Sequence, residues 1–370
     1  MNCKGYEILW IALFAALCNS APCLAWDITD QLSIGGILAG AYQYQEVSDS
    51  PGFEDKGRGA GKIEPEISYT PTENDQLYAR LGFAQGNALN GDNSPFILDP
   101  WGAVLENEVK NINGRSRDHL LTAWYKRTFR LQDNYNLGIT GGIIDATDYM
   151  DDNRYANDEH AQFMNAGLVN GPDFLLPSYD YGGALELEFG DNTLQGVVMS
   201  VGENNDGNAY TFYGLELTRA VDWAPGKGTY RLLGRFTSND FWNVQGTQKE
   251  SRVGAILSFD QELGKTLGAW IRLAWQNDAP AVDSKTIISG GIDIRGDLWG
   301  RKHDNAGIGF AHFGGGNKDL DSTRVLEGYI RFVFREMFAL TLDVQYMRDT
   351  YKNGVDPKGF IYGARVTAEF

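Results

Sequence analysis

Charged residues recur at strand-like spacing along this chain. Arg80, Lys126, Arg231, Arg235, Arg252, Arg272, Arg295, Arg331 and Arg365 fall on one set of alternating positions. Glu64, Glu66, Glu186, Glu188, Glu216, Asp293, Glu327, Asp343 and Glu369 fall on the same set. A guanidinium presents five donors and a carboxylate only acceptors, so a surface carrying both can hydrogen-bond either side of a hydroxyl group. Most of these charges solvate and brace whatever wall carries them.

Other chemistry finds little support. His119, His160, His303 and His312 are scattered, with no HExxH or other close metal-ligand spacing. Gly314-Gly315-Gly316-Asn317 and Asp99-Pro100-Trp101 read as loop turns. A phosphate-cradling glycine loop would need a strand-to-helix setting that is absent. No Ser–His pair can be nominated for hydrolysis. The expectation is neither an enzyme nor a protein needing a cofactor or metal.

The elements that carry the charges come next. Lys4, the apolar run Ile8–Leu17 and a small-residue ending at Ala25 read as a Sec-type signal peptide over residues 1–25. The apolar run is too short to span a bilayer as a helix. Cys3, Cys18 and Cys23 all lie in that segment, so an exported chain would be cysteine-free. The formal net charge is −17, and removing Lys4 and Glu7 leaves it unchanged. That argues against nucleic acid and against anionic membrane surfaces. No later apolar run is long enough for a membrane helix, so only a closed barrel could span.

The dominant pattern has period two, bounded by turn residues. Phe360, Tyr362, Ala364, Val366, Ala368 and Phe370 alternate with mostly small or polar residues; Leu340–Tyr346, Tyr230–Phe236 and Leu77–Phe83 repeat the pattern. Sixteen strands are predicted: 32–44, 60–70, 75–86, 117–130, 135–145, 182–190, 194–202, 211–220, 228–238, 250–261, 267–277, 286–297, 305–313, 324–335, 338–349 and 359–370. Connections after even-numbered strands are mostly short, with Val221–Lys227 and Leu298–Asp304 of medium length. Those after odd-numbered strands are often longer, notably 87–116 and 146–181. That parity fits an outer-membrane antiparallel β-barrel over residues 26–370, with short periplasmic turns, longer extracellular loops and both termini in the periplasm. A soluble β-sandwich would also alternate, but would bury its apolar face; here one face is aromatic and the other charged.

With the apolar set facing lipid, the charged set faces a wet lumen. The third outer loop, 146–181, is long for a structureless connection. It contains Asp148, Asp151, Asp152, Asn153, Arg154, Asp158 and Glu159. Folded inward, it would constrict the channel, set a transverse field against the arginine wall and offer hydrogen bonds to polyhydroxyl solutes. Tyr155–Leu168 has the composition of a short helix. The alternative is a loop lying on the rim.

The run Gly142-Ile143-Ile144-Asp145-Ala146-Thr147-Asp148-Tyr149-Met150-Asp151-Asp152-Asn153 resembles the carbohydrate-selective porin family, often called the OprB family. Trp124-Tyr125, Tyr155–Glu159, Gln162–Asn165 and Leu168–Asn170 extend the likeness, which continues weakly through Asp297–Arg301, Glu327–Tyr329 and Leu342–Tyr346. The resemblance implies a sixteen-stranded barrel that passes sugars by facilitated diffusion, with arginine, acidic residues and aromatics at its constriction. Strand parity then nominates Arg80, Trp124, Lys126, Glu186, Arg231, Arg235, Arg272, Arg295, Arg331 and Arg365 as pore-lining or substrate-contacting residues. The expected mature chain is shorter than the resemblance implies for typical members, which leaves pore width and sugar preference open.

The expected function is an outer-membrane porin for carbohydrates or similar small polar solutes. Two alternatives stay open: a general or weakly ion-selective porin, and a structural or adhesive barrel with a plugged lumen. Expected partners are small sugars, outer-membrane lipids and lipopolysaccharide, and the barrel-assembly machinery through the terminal aromatic Phe370. Nucleic acid is not expected.

Overall fold

The computed structural model describes residues 26–171 and 176–370. The expected signal peptide lies outside the described residues. One sheet contains eighteen strand segments. Among them, Trp26–Thr29 is a short leading arm that pairs with the start of the first wall strand. The wall itself has sixteen strands. These are β1 Leu32–Ser48, β2 Lys56–Thr72, β3 Asp75–Leu81 continued as Phe83–Gln85, β4 Leu120–Gln132, β5 Tyr135–Ile144, β6 Asp180–Phe189, β7 Asn192–Val201 and β8 Tyr210–Trp223. They continue as β9 Gly226–Thr237, β10 Val253–Leu263, β11 Leu267–Gln276, β12 Ser284–Arg295, β13 Asn305–Gly315, β14 Leu320–Phe334, β15 Phe338–Tyr351 and β16 Lys358–Glu369. Each wall strand pairs antiparallel with its sequence neighbour, and β16 returns to β1 with Leu38 opposite Ala368 and Tyr44 opposite Tyr362. Closure leaves no edge among the sixteen wall strands, which is what a barrel in lipid requires.

The alternation sets which face is which. Outward positions carry Tyr42, Leu185, Leu215, Leu232, Ile288 and Ile308, each more than half exposed. A soluble protein would hide such a band; lipid accommodates it. Inward positions carry Gln43 on β1, Glu216 on β8, Arg231 on β9, Arg272 on β11, Glu327 on β14 and Arg365 on β16, all buried.

Loop parity matches the sequence pattern. Strands β2–β3, β4–β5, β6–β7 and β8–β9 are joined by two-residue turns, with Asn134 (φ 63°) and Gly190 (φ 59°) left-handed as tight hairpins require. The expected medium turn at Val221–Lys227 is shorter, because the ladder continues through Asp222–Lys227 to Trp223–Gly226. Several strands run beyond expectation, with β1 and β2 seventeen residues each.

The two longest outer loops, 86–119 and the described parts of 145–179, pack inside the wall. The expected short helix at Tyr155–Leu168 does not form. Local side-chain bonds take its backbone donors: Asn153 Oδ1 accepts from Tyr155 N, Asp158 Oδ1 from His160 N and Ala161 N, and Asn165 Oδ1 from Gly167 N. Such turns compete directly with the helix ladder. Loop aromatics instead settle into notches left by inward-facing glycines. A β-carbon on Gly268 would lie 2.2 Å from the Tyr155 ring, and one on Gly309 would lie 2.8 Å from the Phe163 ring.

Candidate functional site

The third loop crosses the lumen and binds the wall strand by strand. From β8, Glu216 accepts a hydrogen bond from Asp151 N at 2.8 Å. From β10, Ser258 Oγ accepts from Asn153 Nδ2 at 3.1 Å and Asp260 accepts from Arg154 N at 3.2 Å. From β11, Arg272 pairs with Asp151 at 2.8 Å and donates to Ala156 O at 2.9 Å. From β14, the two oxygens of Glu327 accept from Met164 N at 2.5 Å and Asn165 N at 3.0 Å. From β16, Arg365 donates to Glu159 O at 2.7 Å and Gln162 O at 2.9 Å. A loop without regular structure must satisfy its backbone somewhere, and here the wall does so.

The second loop, expected as a long outer connection with Asp99-Pro100-Trp101 as a turn, packs beside it. Gly102 N donates to Met164 O and Ala166 N to Asp99 O, while Trp101 Nε1 donates to Glu159 O at 3.1 Å. Gln43 and Gln345 both donate to Pro100 O. Trp101 is fully buried among Ala39, Ala41 and Met164. The length of 87–116 was a signal that this segment does more than turn a corner.

Beside the loops, open space remains along the wall from β2 to β6, reaching the start of β1 and the end of β16. A cavity of about 270 Å³ is lined by Gln76, Tyr78, Arg80, Trp124, Lys126, Asp148, Tyr149 and Glu186. A larger one of about 730 Å³ takes in Arg80 and Asp148 again and continues past Glu64, Glu66, Asp152, Asp158, Glu159 and His160. The shared residues meet each other: Arg80 lies 3.4 Å from Asp148 and 3.5 Å from Glu66. On the adjoining wall Tyr78 and Trp124 stack with ring centroids 5.0 Å apart, inclined by 24°. The Arg80 guanidinium lies 5.9 Å from the Tyr78 ring centre. Lys126 and Glu186 pair at 2.6 Å across β4 to β6. The arrangement offers an aromatic face flanked by fixed donors and acceptors.

The nominated residues therefore divide. Arg80, Trp124, Lys126 and Glu186 line open space. Arg231, Arg235, Arg272 and Arg365 face inward but are 5%, 3%, 0% and 0% exposed. Arg231 pairs with Asp260 at 2.6 Å and Arg235 donates to Gln276 at 2.5 Å. Arg295 and Arg154 converge on Glu262 at 2.9 and 2.8 Å. Arg331 lies 3.8 Å from Glu369. In the loop, Asp148, Asp152, Asp158 and Glu159 border the larger cavity. Asp151 and Asn153 are wholly buried as anchors. Tyr78 and Tyr149 were not nominated; Tyr78 shares strand parity with Arg80, which was the available signal.

Burial and the neighbouring Asp148 push the carboxyl of Asp145 up to about 7. Burial also raises Asp148, although Arg80 opposes the rise. Burial would raise Asp158 too, but its hydrogen bonds and charge interaction with His160, together with Arg365, outweigh that and hold it well below the carboxylate range. Asp158, Glu159 and His160 bring their ligand-type atoms within 4.8 Å of one another. His160 Nδ1 lies 3.4 and 3.5 Å from the two carboxylates, so these groups partner one another.

A closed sixteen-stranded wall with a lipid-compatible exterior and a polar inner face to which loops are bonded defines an outer-membrane porin. The family model for the carbohydrate-selective porin, OprB family, matches residues 84–370, and the chain belongs to that family. It is accordingly an outer-membrane porin for sugars. An uncharacterized protein of Aquifex aeolicus is 27% identical over 297 residues, covering 80% of this chain and 84% of that one. The high-pH structure of Pseudomonas putida OprB superposes with a TM-score of 0.73 at 13% identity, over 98% of this chain and 97% of that chain. The outer membrane channel DcaP of Acinetobacter baumannii gives 0.55 at 10% identity, over 94% and 100%.

Proposed function

We propose that sugars cross this barrel along the sector between β1 and β6, and that the third loop sets the narrowest section. The Tyr78–Trp124 stack would receive the apolar face of a sugar ring, as aromatic faces do for flat apolar surfaces. Arg80, Asp148, Lys126 and Glu186 would exchange hydrogen bonds with its hydroxyls. Passage is diffusive, with no catalysed step. The observation that carries this reading is the aromatic stack lying beside the Arg80–Asp148 pair at the meeting of two cavities.

The inward arginines of β11 and β16 take a different role, holding the third loop, while those of β9 brace neighbouring wall strands; none of these guanidiniums would meet the solute. The apolar outer band would contact membrane lipid and lipopolysaccharide. The terminal Phe370, bonded through its backbone to Gly36, would serve as the recognition residue for barrel assembly.

Planar-bilayer recording across a sugar series tests the proposal. Neutral sugars should reduce the ion current in a concentration-dependent way, and liposomes carrying the protein should swell in them. Swelling without current block would favour a general porin. Absence of solute entry would favour a plugged barrel.

A further inference from the structure

Covering the far wall has an electrostatic consequence. Four inward arginines, Arg231, Arg235, Arg272 and Arg365, are at most 5% exposed and are occupied by loop and wall acceptors. Arg231 and Arg272 pair with the carboxylates of Asp260 and Asp151, Arg235 and Arg365 bond the Gln276 amide and loop carbonyls, and none of the four borders the larger cavity. The larger open cavity is lined instead by Glu64, Glu66, Asp148, Asp152, Asp158 and Glu159, with Asp145 and Glu369 also bordering it. Arg80 supplies the guanidinium on that lining and His160 an imidazole. Lys62 pairs with Glu64 from behind, with its own side chain 2% exposed. Among the described residues Asp152 pairs with no cation; its partner is the Asn157 amide at 3.1 Å.

We infer that this path is a charge filter that excludes anionic sugars and admits neutral and amine-bearing ones. The inference rests on the path proposed above and names the solute class that the path selects. A sugar acid or sugar phosphate entering the larger cavity meets carboxylates with few uncompensated cations. A protonated amino sugar meets complementary charge. In bulk-like water one uncompensated charge at ~7 Å changes local concentration of a monovalent solute by roughly threefold. Several such charges in a narrow channel act together, as rings of acidic side chains do in cation-selective pores.

The test compares glucose, glucosamine and glucuronate in swelling assays, and reads the reversal potential in a potassium chloride gradient without sugar. Wild-type protein should prefer potassium over chloride and admit glucosamine several-fold faster than glucuronate. The double variant Asp152→Asn/Glu159→Gln should bring both ratios towards one while glucose entry stays the same. Both substitutions keep the loop's backbone anchors, since Glu159 holds Arg365 and Trp101 through its carbonyl oxygen. Chloride preference, or equal entry of the two charged sugars in wild-type protein, would overturn the filter. The reversal potential judges the filter by itself, whereas failure of glucose to enter would count against the sugar path.

Discussion

Asp151 Oδ2 lies 2.8 Å from Arg272 Nε with both side chains wholly excluded from solvent. The same oxygen accepts a hydrogen bond from Gly171 N at 2.7 Å. One carboxylate thus joins the two ends of the third loop to the middle of β11. Because both charges are out of water, each depends on the other far more than a surface pair would.

Removing one partner leaves an uncompensated buried charge, at a cost of about 3–5 kcal/mol. Asp151→Ala should therefore loosen the loop, lower the temperature of loss of folded barrel in detergent and raise single-channel conductance with added noise. Asp151→Ala/Arg272→Met should recover part of the thermal loss, since no lone charge remains, while conductance stays raised. A single variant that melts and conducts like wild type would show that the pair does not hold the loop.

The stack predicts an effect on solute affinity with little effect on folding. An aromatic contact of this kind contributes about 0.5–1.5 kcal/mol. Trp124→Ala should weaken sugar block of the ion current by roughly two- to tenfold, as 1.4 kcal/mol is a factor of about ten. Trp124→Phe should retain most of the block. Equal inhibition constants for Trp124→Ala and wild type would remove this ring from the sugar path.

Asp145 predicts a pH dependence. Its carboxyl titrates near 7, raised by burial and by Asp148, with Thr147 and Arg80 as the opposing partners. A raised carboxyl is neutral below its pKa and gains charge as pH rises through it. Cation preference should thus increase between pH 6 and pH 8. Asp145→Asn should flatten the rise while keeping the Oδ1 acceptor that receives Thr147 N and Oγ1. A slope unchanged in the variant would assign the titration to another group.

Strand positions were legible because alternation is a local property: Leu77, Ala79 and Leu81 face lipid while Tyr78 and Arg80 do not, whatever the rest of the chain does. The same rule placed Trp124, Lys126 and Glu186 inward. It also placed Arg272 and Arg365 inward, without saying that loop atoms would cover them. Asp152 and Asp151 are adjacent and chemically alike, yet one borders the cavity and the other is an anchor.

From its order of residues alone, then, this chain specified a closed barrel, its lipid and lumen faces, and the sides carrying short turns and long loops. Those follow from side chains pointing alternately to opposite faces and from apolar surface preferring lipid. Only the tertiary structure decided which inward charges stay open to a solute. That depends on where residues 86–119 and 145–179 land, through contacts between positions far apart in the chain such as Met164 with Glu327 and Trp101 with Glu159. No short window of sequence contains both halves of such a pair.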